Sequence, residues 1–239
     1  MRSARLLAMA VAAAALVMLA TSGPGTRLGL WPWQTGLSLL KWAAYTGLAG
    51  GAIALIVLLL QALPRWRRLG FGMPLLALAL AVAAFGPPLY MLEQAKKVPP
   101  IHDITTDVEH PPRFVALLPE RRKAPNGFEY GGPAIAAQQL KAYPDITSKL
   151  VRAQPADALA HSLDAARALG WRVVETDGIE GRLEATATTM WFGFQDDIVV
   201  RVQPAAQGSR VDVRSVSRVG RSDVGTNAKR IREFLARLT

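Results

Sequence analysis

Two long stretches without a single charge constrain this chain more than any other feature. Trp42–Leu63 runs for 22 residues and Leu69–Leu92 for 24 with no Asp, Glu, Lys or Arg. A bilayer core is spanned by ~20 apolar helical residues. Only Pro64-Arg65-Trp66-Arg67-Arg68 separates the two runs, and a soluble core has no place for two such helices joined by so short a charged turn. A third run, Leu6–Ala20, is apolar for 15 residues and continues through small residues to Ser22. Arg2 and Arg5 before it and Ala20-Thr21-Ser22 after it also fit a signal peptide. We expect an uncleaved first helix. The expected membrane region is residues 1–92, an α-helical region with helices over about 4–22, 40–63 and 69–92 and the lipid bilayer as its partner.

Charge sets the expected orientation. The chain carries 28 Lys and Arg against 18 Asp and Glu, a formal net charge of +10. Residues 1–96 account for +7 of it and residues 97–239 for +3. The excess therefore lies in the apolar part, where basic residues mark the cytoplasmic side. Arg2, Arg5, Arg65, Arg67 and Arg68 place the N-terminus and the second loop inside, and the C-terminal part outside. The expected location is the inner (cytoplasmic) membrane, multi-pass, with the C-terminal domain on the periplasmic or extracellular side. Trp31, Trp33, Trp42 and Tyr90 fall at the outer interface and Trp66 at the inner one, as an aromatic belt requires. No ionisable residue lies deep in a span, which argues against an ion or proton pathway. Gly47 and Gly51 are four apart on the second helix and allow close helix packing, with homo-oligomerisation as a further option. The chain has no cysteine, which excludes disulfides, thiolate metal sites and a thiol nucleophile.

Residues 93–112 are rich in proline and read as an extended linker. His102, Asp103 and His110 fall in it without a spacing that fixes a metal geometry. No metal or other cofactor is expected. The external domain is expected over 113–239. A helix from Pro155 to Gly170 carries Leu159, Leu163, Ala166 and Leu169 on one stripe, with His161 off it. Four strand-like runs follow, Trp171–Thr176, Arg182–Trp191, Asp197–Val202 and Arg210–Ser217. In the last three, apolar residues alternate with polar ones, which predicts an antiparallel sheet with one covered face. A final helix is expected from about Ser222 to Leu238, capped by Ser222 or Asp223. The fold class is thus an α+β domain with a four-stranded antiparallel sheet and packed helices, after about three transmembrane helices.

No catalytic motif occurs, so a non-enzyme is favoured. The run Arg214–Arg230 is dense in arginine, small hydroxyls and glycine, and passes from a strand into a helix start. Helix N-termini and arginine forks both attract anions. Arg214, Ser217, Arg218, Arg221, Ser222 and Asn227 are therefore candidates for binding an anionic small molecule or an envelope partner protein. The competing reading pairs the arginines internally with Asp196, Asp197, Asp212 and Asp223. Asp196, Asp197 and Asp223 are structural residues on that reading, or acid/base groups of a hydrolase-like envelope enzyme. A structural assembly module is the remaining alternative. Residues 97–239 hold 20 basic and 17 acidic residues and no nucleic-acid motif, so nucleic acid is not an expected partner.

Three segments carry a family resemblance: Tyr143-Pro144-Asp145-Ile146, Phe192-Gly193-Phe194-Gln195-Asp196-Asp197-Ile198-Val199-Val200-Arg201, and Arg214–Arg230. Over roughly Phe114–Leu238 the chain resembles the domain of unknown function 1499 family, in its longer membrane-anchored form. Shorter relatives carry cysteines around a Pro-Asn-Cys motif, where this chain has Pro125-Asn126-Gly127. The resemblance implies no activity, and a thiol-dependent role does not transfer. It implies that Asp196, Asp197, Arg214, Arg218, Asp223 and Asn227 form a shared site or a shared structural lock.

Overall fold

A computed structural model describes residues 1–238, which divide into two units. The first comprises Met1–Gln94 together with Met190–Gly193, the second Ala95–Thr189 and Phe194 onward.

The first unit is built from three helices, α1 (Arg2–Arg27), α2 (Trp33–Gln61) and α3 (Gly72–Lys96). Each is long and apolar enough to cross a membrane. Their contact faces are made of small residues, as close helix packing in lipid requires. Ala8, Ala12, Ala54, Ala77 and Ala81 form the shared core. Gly50 lies against Ala12 and Val11 of α1, whereas Gly47 and Gly51 face Ala81 and Phe85 of α3. The small face of α2 is thus occupied within the chain. Leu55, Ile56 and Leu59 point outward and leave an exposed apolar surface.

The second unit is an α+β domain whose sheet has six strands, not four. They are β1 (Asp103–Thr105), β2 (Lys149–Val151), β3 (Arg172–Asp177), β4 (Arg182–Thr188), β5 (Gln195–Ala205) and β6 (Gly208–Ser217). The order is β1-β6-β5-β4-β3, and β2 also pairs with the outer edge of β6. All pairings are antiparallel. The two additional strands have three residues each, too short to leave an alternation pattern. β1 lies inside the segment expected to be a tether. Ile101 and Ile104 are buried in the core there. Its outer edge is closed by Gln139 of α5 (Gly132–Ala142), whose amide accepts the Thr105 N–H at 2.9 Å and donates to the Thr105 carbonyl at 2.6 Å.

Helices α6 (Pro155–Ala168) and α7 (Thr226–Leu235) cover one sheet face. Leu159, Ala166, Ile231 and Phe234 pack there on Leu183, Ala185, Ile198, Val200, Val211 and Val213, and Trp171 stacks on Phe234 at 5.1 Å. Leu163 and Leu169, expected on the same stripe, are partly buried. The other sheet face is also buried, contrary to the expected single covered face. Glu184, Thr186, Asp197, Asp212 and Arg214 all sit on it, shielded from solvent. The irregular segment from Thr106 to Tyr130, with the short α4 (Leu118–Lys123), supplies Phe114 and Leu117 against Val199 and Val216.

α7 starts four residues later than expected. Val224 has φ 53° and Gly225 φ 79°, so the chain turns through two left-handed residues before the helix begins. A β-branched residue in that region is strained by about 1–3 kcal/mol. Val224 is partly exposed, and Asn tolerates the same conformation. Val224→Asn is expected to raise the stability of the domain by about 1 kcal/mol, read as a higher urea midpoint for exchange of the β6 amides.

Candidate functional site

The arginine-rich run does not form one site. Residues of a strand alternate between faces, so Arg214 and Ser215 diverge. Arg214 points to the polar face, where Asp103 holds it bidentately at 3.0 and 2.7 Å. Its remaining donors meet the carbonyls of Pro112 and Phe128. Arg218 lies on the same face and forks onto Asp197, with both bonds at 2.9 Å, and reaches Gln195 at 2.7 Å. Asp197 also accepts from the Thr186 hydroxyl at 2.9 Å and pairs at 3.5 Å with Arg121, itself 0% exposed. Burial depresses the pKa of Arg121, against the opposing charges of Asp197 and Asp103. Arg121 donates to the carbonyls of Val216 and Gly127, so the Pro125-Asn126-Gly127 turn serves here as a guanidinium acceptor.

Ser217 and Asn227 belong to the helix-covered face. The Asn227 amide donates to Ser217 Oγ and to the His102 carbonyl, both at 3.0 Å, and accepts from Ser215 Oγ at 2.7 Å. Arg230 completes this cluster, bonding Ser215 and Asn227 and pairing with Asp196 at 2.6 Å. Asp196 and Asp197 therefore serve separate networks on opposite faces. Ser222 receives only the Val224 N–H. Arg221 is exposed and has no carboxylate partner among the described residues.

Of Asp196, Asp197, Asp212 and Asp223, Asp223 alone has no cation partner among the described residues. It accepts the N–H of Gly225 at 2.8 Å and of Asn227 at 2.9 Å, and so occupies the free amides at the start of α7. Burial pushes its pKa up, with Asp196 adding to the effect, and the two N–H bonds only partly oppose it. The helix N-terminus proposed for an anion is thus filled by the chain's own carboxylate.

Sequence reasoning missed Asp103, Arg121, Glu184 and Arg230. Glu184 was legible only as an outward polar residue of an alternating strand. It instead accepts three consecutive N–H groups, from Val115, Ala116 and Leu117, at 2.7, 3.1 and 2.8 Å. A second group on the same face joins Arg201 to Asp107 at 2.9 Å and to Asp212 at 2.8 Å, with Arg210 on Asp107 at 2.7 Å.

One cleft of about 420 Å³ opens beside this layer, lined by His110, Arg113, Glu180, Arg182, Val199 and Arg201 among others. Arg182 and Arg201 are direct cross-strand neighbours, a repulsive arrangement unless neutralised. Each is: Arg182 meets Glu175, Asp177 and Glu184 at 3.0–3.2 Å, and Arg201 meets Asp107 and Asp212. Arg113 is the cation at this cleft that has no carboxylate partner among the described residues, and it is exposed. Among those residues no group of three or more His, Asp or Glu is placed to hold a metal ion.

The molecule is thus a chain of apolar membrane-length helices followed by an α+β domain with an ion-paired second sheet face. The profile of the family described as Protein of unknown function (DUF1499) matches residues 103–238, and the chain belongs to that family. Its N-terminal helices are consistent with a longer form of the family. No curated protein matches the chain. The match begins at Asp103, the residue that pairs with Arg214, and so includes β1.

Two outcomes follow from the charges. Removing one partner of a buried pair leaves the other uncompensated and costs about 3–5 kcal/mol. Arg214→Met should destabilise the domain by that amount, and Asp103→Leu added to it should restore most of the loss, measured by urea unfolding of the full chain in detergent.

The second outcome concerns acid. Burial opposes ionisation of Asp107, but the His110 N–H, Arg201 and Arg210 outweigh it and hold its pKa below the ordinary 3.8. The Arg232 hydrogen bond does the same for Asp145. A lowered pKa stabilises the fold fully above the ordinary value, and that stability is lost as pH falls through the lowered one. The thermal midpoint should therefore drop below about pH 4, with a shallower drop in Asp145→Asn. Asp223 acts with the opposite sign, its cost growing as pH rises through its raised pKa.

Proposed function

We propose that this protein is a membrane-anchored, non-catalytic binding module of the cell envelope. α1–α3 anchor it in the inner membrane, with the Arg65–Arg68 turn cytoplasmic and the α+β domain on the periplasmic or extracellular side, as the distribution of arginines favours. Its ligand is an anion, carboxylate or phosphate, taken by the Arg113 cleft. The observation that carries this reading is the unpaired Arg113 guanidinium beside two arginines already held in position by carboxylates. Pro111, Pro112 and Val115 give the cleft an apolar wall for the body of such a ligand.

The enzyme alternative rests on Asp223 alone, because Asp196 and Asp197 are spent on Arg230, Arg218 and Arg121. Both Asp223 oxygens accept backbone N–H groups, which leaves it poorly placed as a proton carrier.

The test is thermal shift of the full chain in detergent with inorganic phosphate, acetate and succinate. At least one anion should raise the midpoint, and Arg113→Ala should abolish the rise. Retention in Arg113→Ala with loss in Arg221→Ala would move the site to the turn before α7. No rise with any anion would remove the anion reading.

A further inference from the structure

The loop after β4 carries an unusual load of large apolar side chains for a turn: Met190, Trp191 and Phe192. Loops are ordinarily polar with small turn residues. Only Phe192 is buried, whereas Met190 is 86% exposed and Trp191 45%. These residues belong to the helical unit, at the C-terminal end of α1.

The fit there is close and depends on glycine. The Trp191 indole N–H donates to Ser22 Oγ at 3.4 Å, and a Cβ on Gly23 would overlap the indole ring. Trp31 approaches from the other side, donating to the Ser22 carbonyl at 3.4 Å, and a Cβ on Gly25 would overlap its ring. Arg27 donates to the Met190 carbonyl at 2.6 Å. Phe192 lies over Gly36 at the start of α2. Ser22 lies two residues beyond the apolar run Leu6–Ala20 of α1, so both indoles sit near the end of that run. Leu28 and Leu30 are exposed beside the helix end, next to the exposed Arg27.

Amphipathic indoles at the end of a span, beside exposed Met and Leu side chains, match the chemistry of the lipid headgroup boundary. We propose that Met190 and Trp191, with Leu28 and Leu30, form an interfacial anchor that enters the lipid headgroup layer at the C-terminal end of α1. The occupant is the bilayer itself, because these exposed apolar residues lie at the end of a helix whose own outward side chains, Leu6, Leu7 and Val17, are apolar. The anchor rests on reading α1–α3 as membrane spans. Its consequence is a second, non-covalent attachment of the domain sequence to the membrane, in addition to the chain link through α3.

The absence of cysteine makes the test direct, since one introduced thiol is labelled alone. Met190→Cys, Leu55→Cys and Ile179→Cys are labelled with a polarity-sensitive nitrobenzoxadiazole fluorophore in the full chain, reconstituted in phosphatidylcholine–phosphatidylglycerol vesicles. Leu55 is an outward residue of α2, and Ile179, 97% exposed at the β3–β4 turn, is the aqueous reference. The Met190 label should emit blue-shifted from the Ile179 label. It should be quenched more by lipid nitroxides placed shallow in the acyl chain than by deep ones, and less by iodide than the Ile179 label. The Leu55 label should respond most to the deep nitroxides. A Met190 label that behaves as the Ile179 label, while Leu55 remains lipid-quenched, overturns the anchor alone. Iodide quenching at Leu55 overturns the span reading and the anchor with it. A blue-shifted Met190 label untouched by any lipid nitroxide points to a protein contact and also overturns the proposal.

Discussion

The domain is organised by a sheet face that is charged and yet buried. Asp103, Asp197, Asp212 and Glu184 are all withdrawn from solvent on it. An isolated carboxylate in such a place costs several kcal/mol, and the cost is offset when the charge is paired and hydrogen-bonded. The fold meets that condition in two ways. Arg214 and Arg218 supply guanidinium forks, and Arg121 and Arg201 add single-nitrogen pairings. Glu184 takes backbone N–H groups from Val115–Leu117 in addition to its pairing with Arg182. These bonds also explain how the segment from Thr106 to Tyr130, almost devoid of regular structure, adopts one path over the sheet. Phe114 and Leu117 provide the apolar contacts, and directional bonds to carboxylates and guanidiniums set the path.

This arrangement separates what was readable in the sequence from what was not. The alternation of Leu183, Ala185 and Ala187 with Glu184 and Thr186 located β4 and its orientation correctly. It did not reveal the fate of the polar side, because period-2 alternation reports which residues share a face and not whether that face meets water. Ion pairs join residues far apart in sequence, such as Asp103 with Arg214, and leave no local pattern. For the same reason residues 93–112 looked like a solvated tether. Prolines and charges dominate that segment, and a three-residue strand is too short to compete with that signal. The membrane-length helices were legible because their signal is a composition sustained over a whole span. The spacing of Gly47 and Gly51 was legible too, but not which neighbour the glycines would face.

The arginine-rich run illustrates a further limit. In sequence, Arg214, Ser217, Arg218 and Asn227 look like one cluster at a helix start. In the fold, Arg214 and Arg218 lie on one side of the sheet and Ser217 and Asn227 on the other. Two networks thus meet at β5, where the adjacent Asp196 and Asp197 serve Arg230 on one face and Arg218 on the other. The neighbouring carboxylates hold the two layers to the same strand position.

A closed network of this kind restricts where the domain can act. A guanidinium already committed to a bidentate carboxylate must lose that partner before it can bind another anion, and in a buried site the exchange exposes an unpaired charge. Ligand binding is therefore expected at the margin of the ion-paired layer, at cations that the layer positions but does not consume. Arg113 meets that description, because it is exposed and lines the same cleft as Arg182 and Arg201. The cleft holds those two charges side by side at no conformational cost to a ligand, since their carboxylate partners have already fixed them. An anion there would thus meet two arginines already held by carboxylates and one exposed cation, which keeps the ordering cost of binding low.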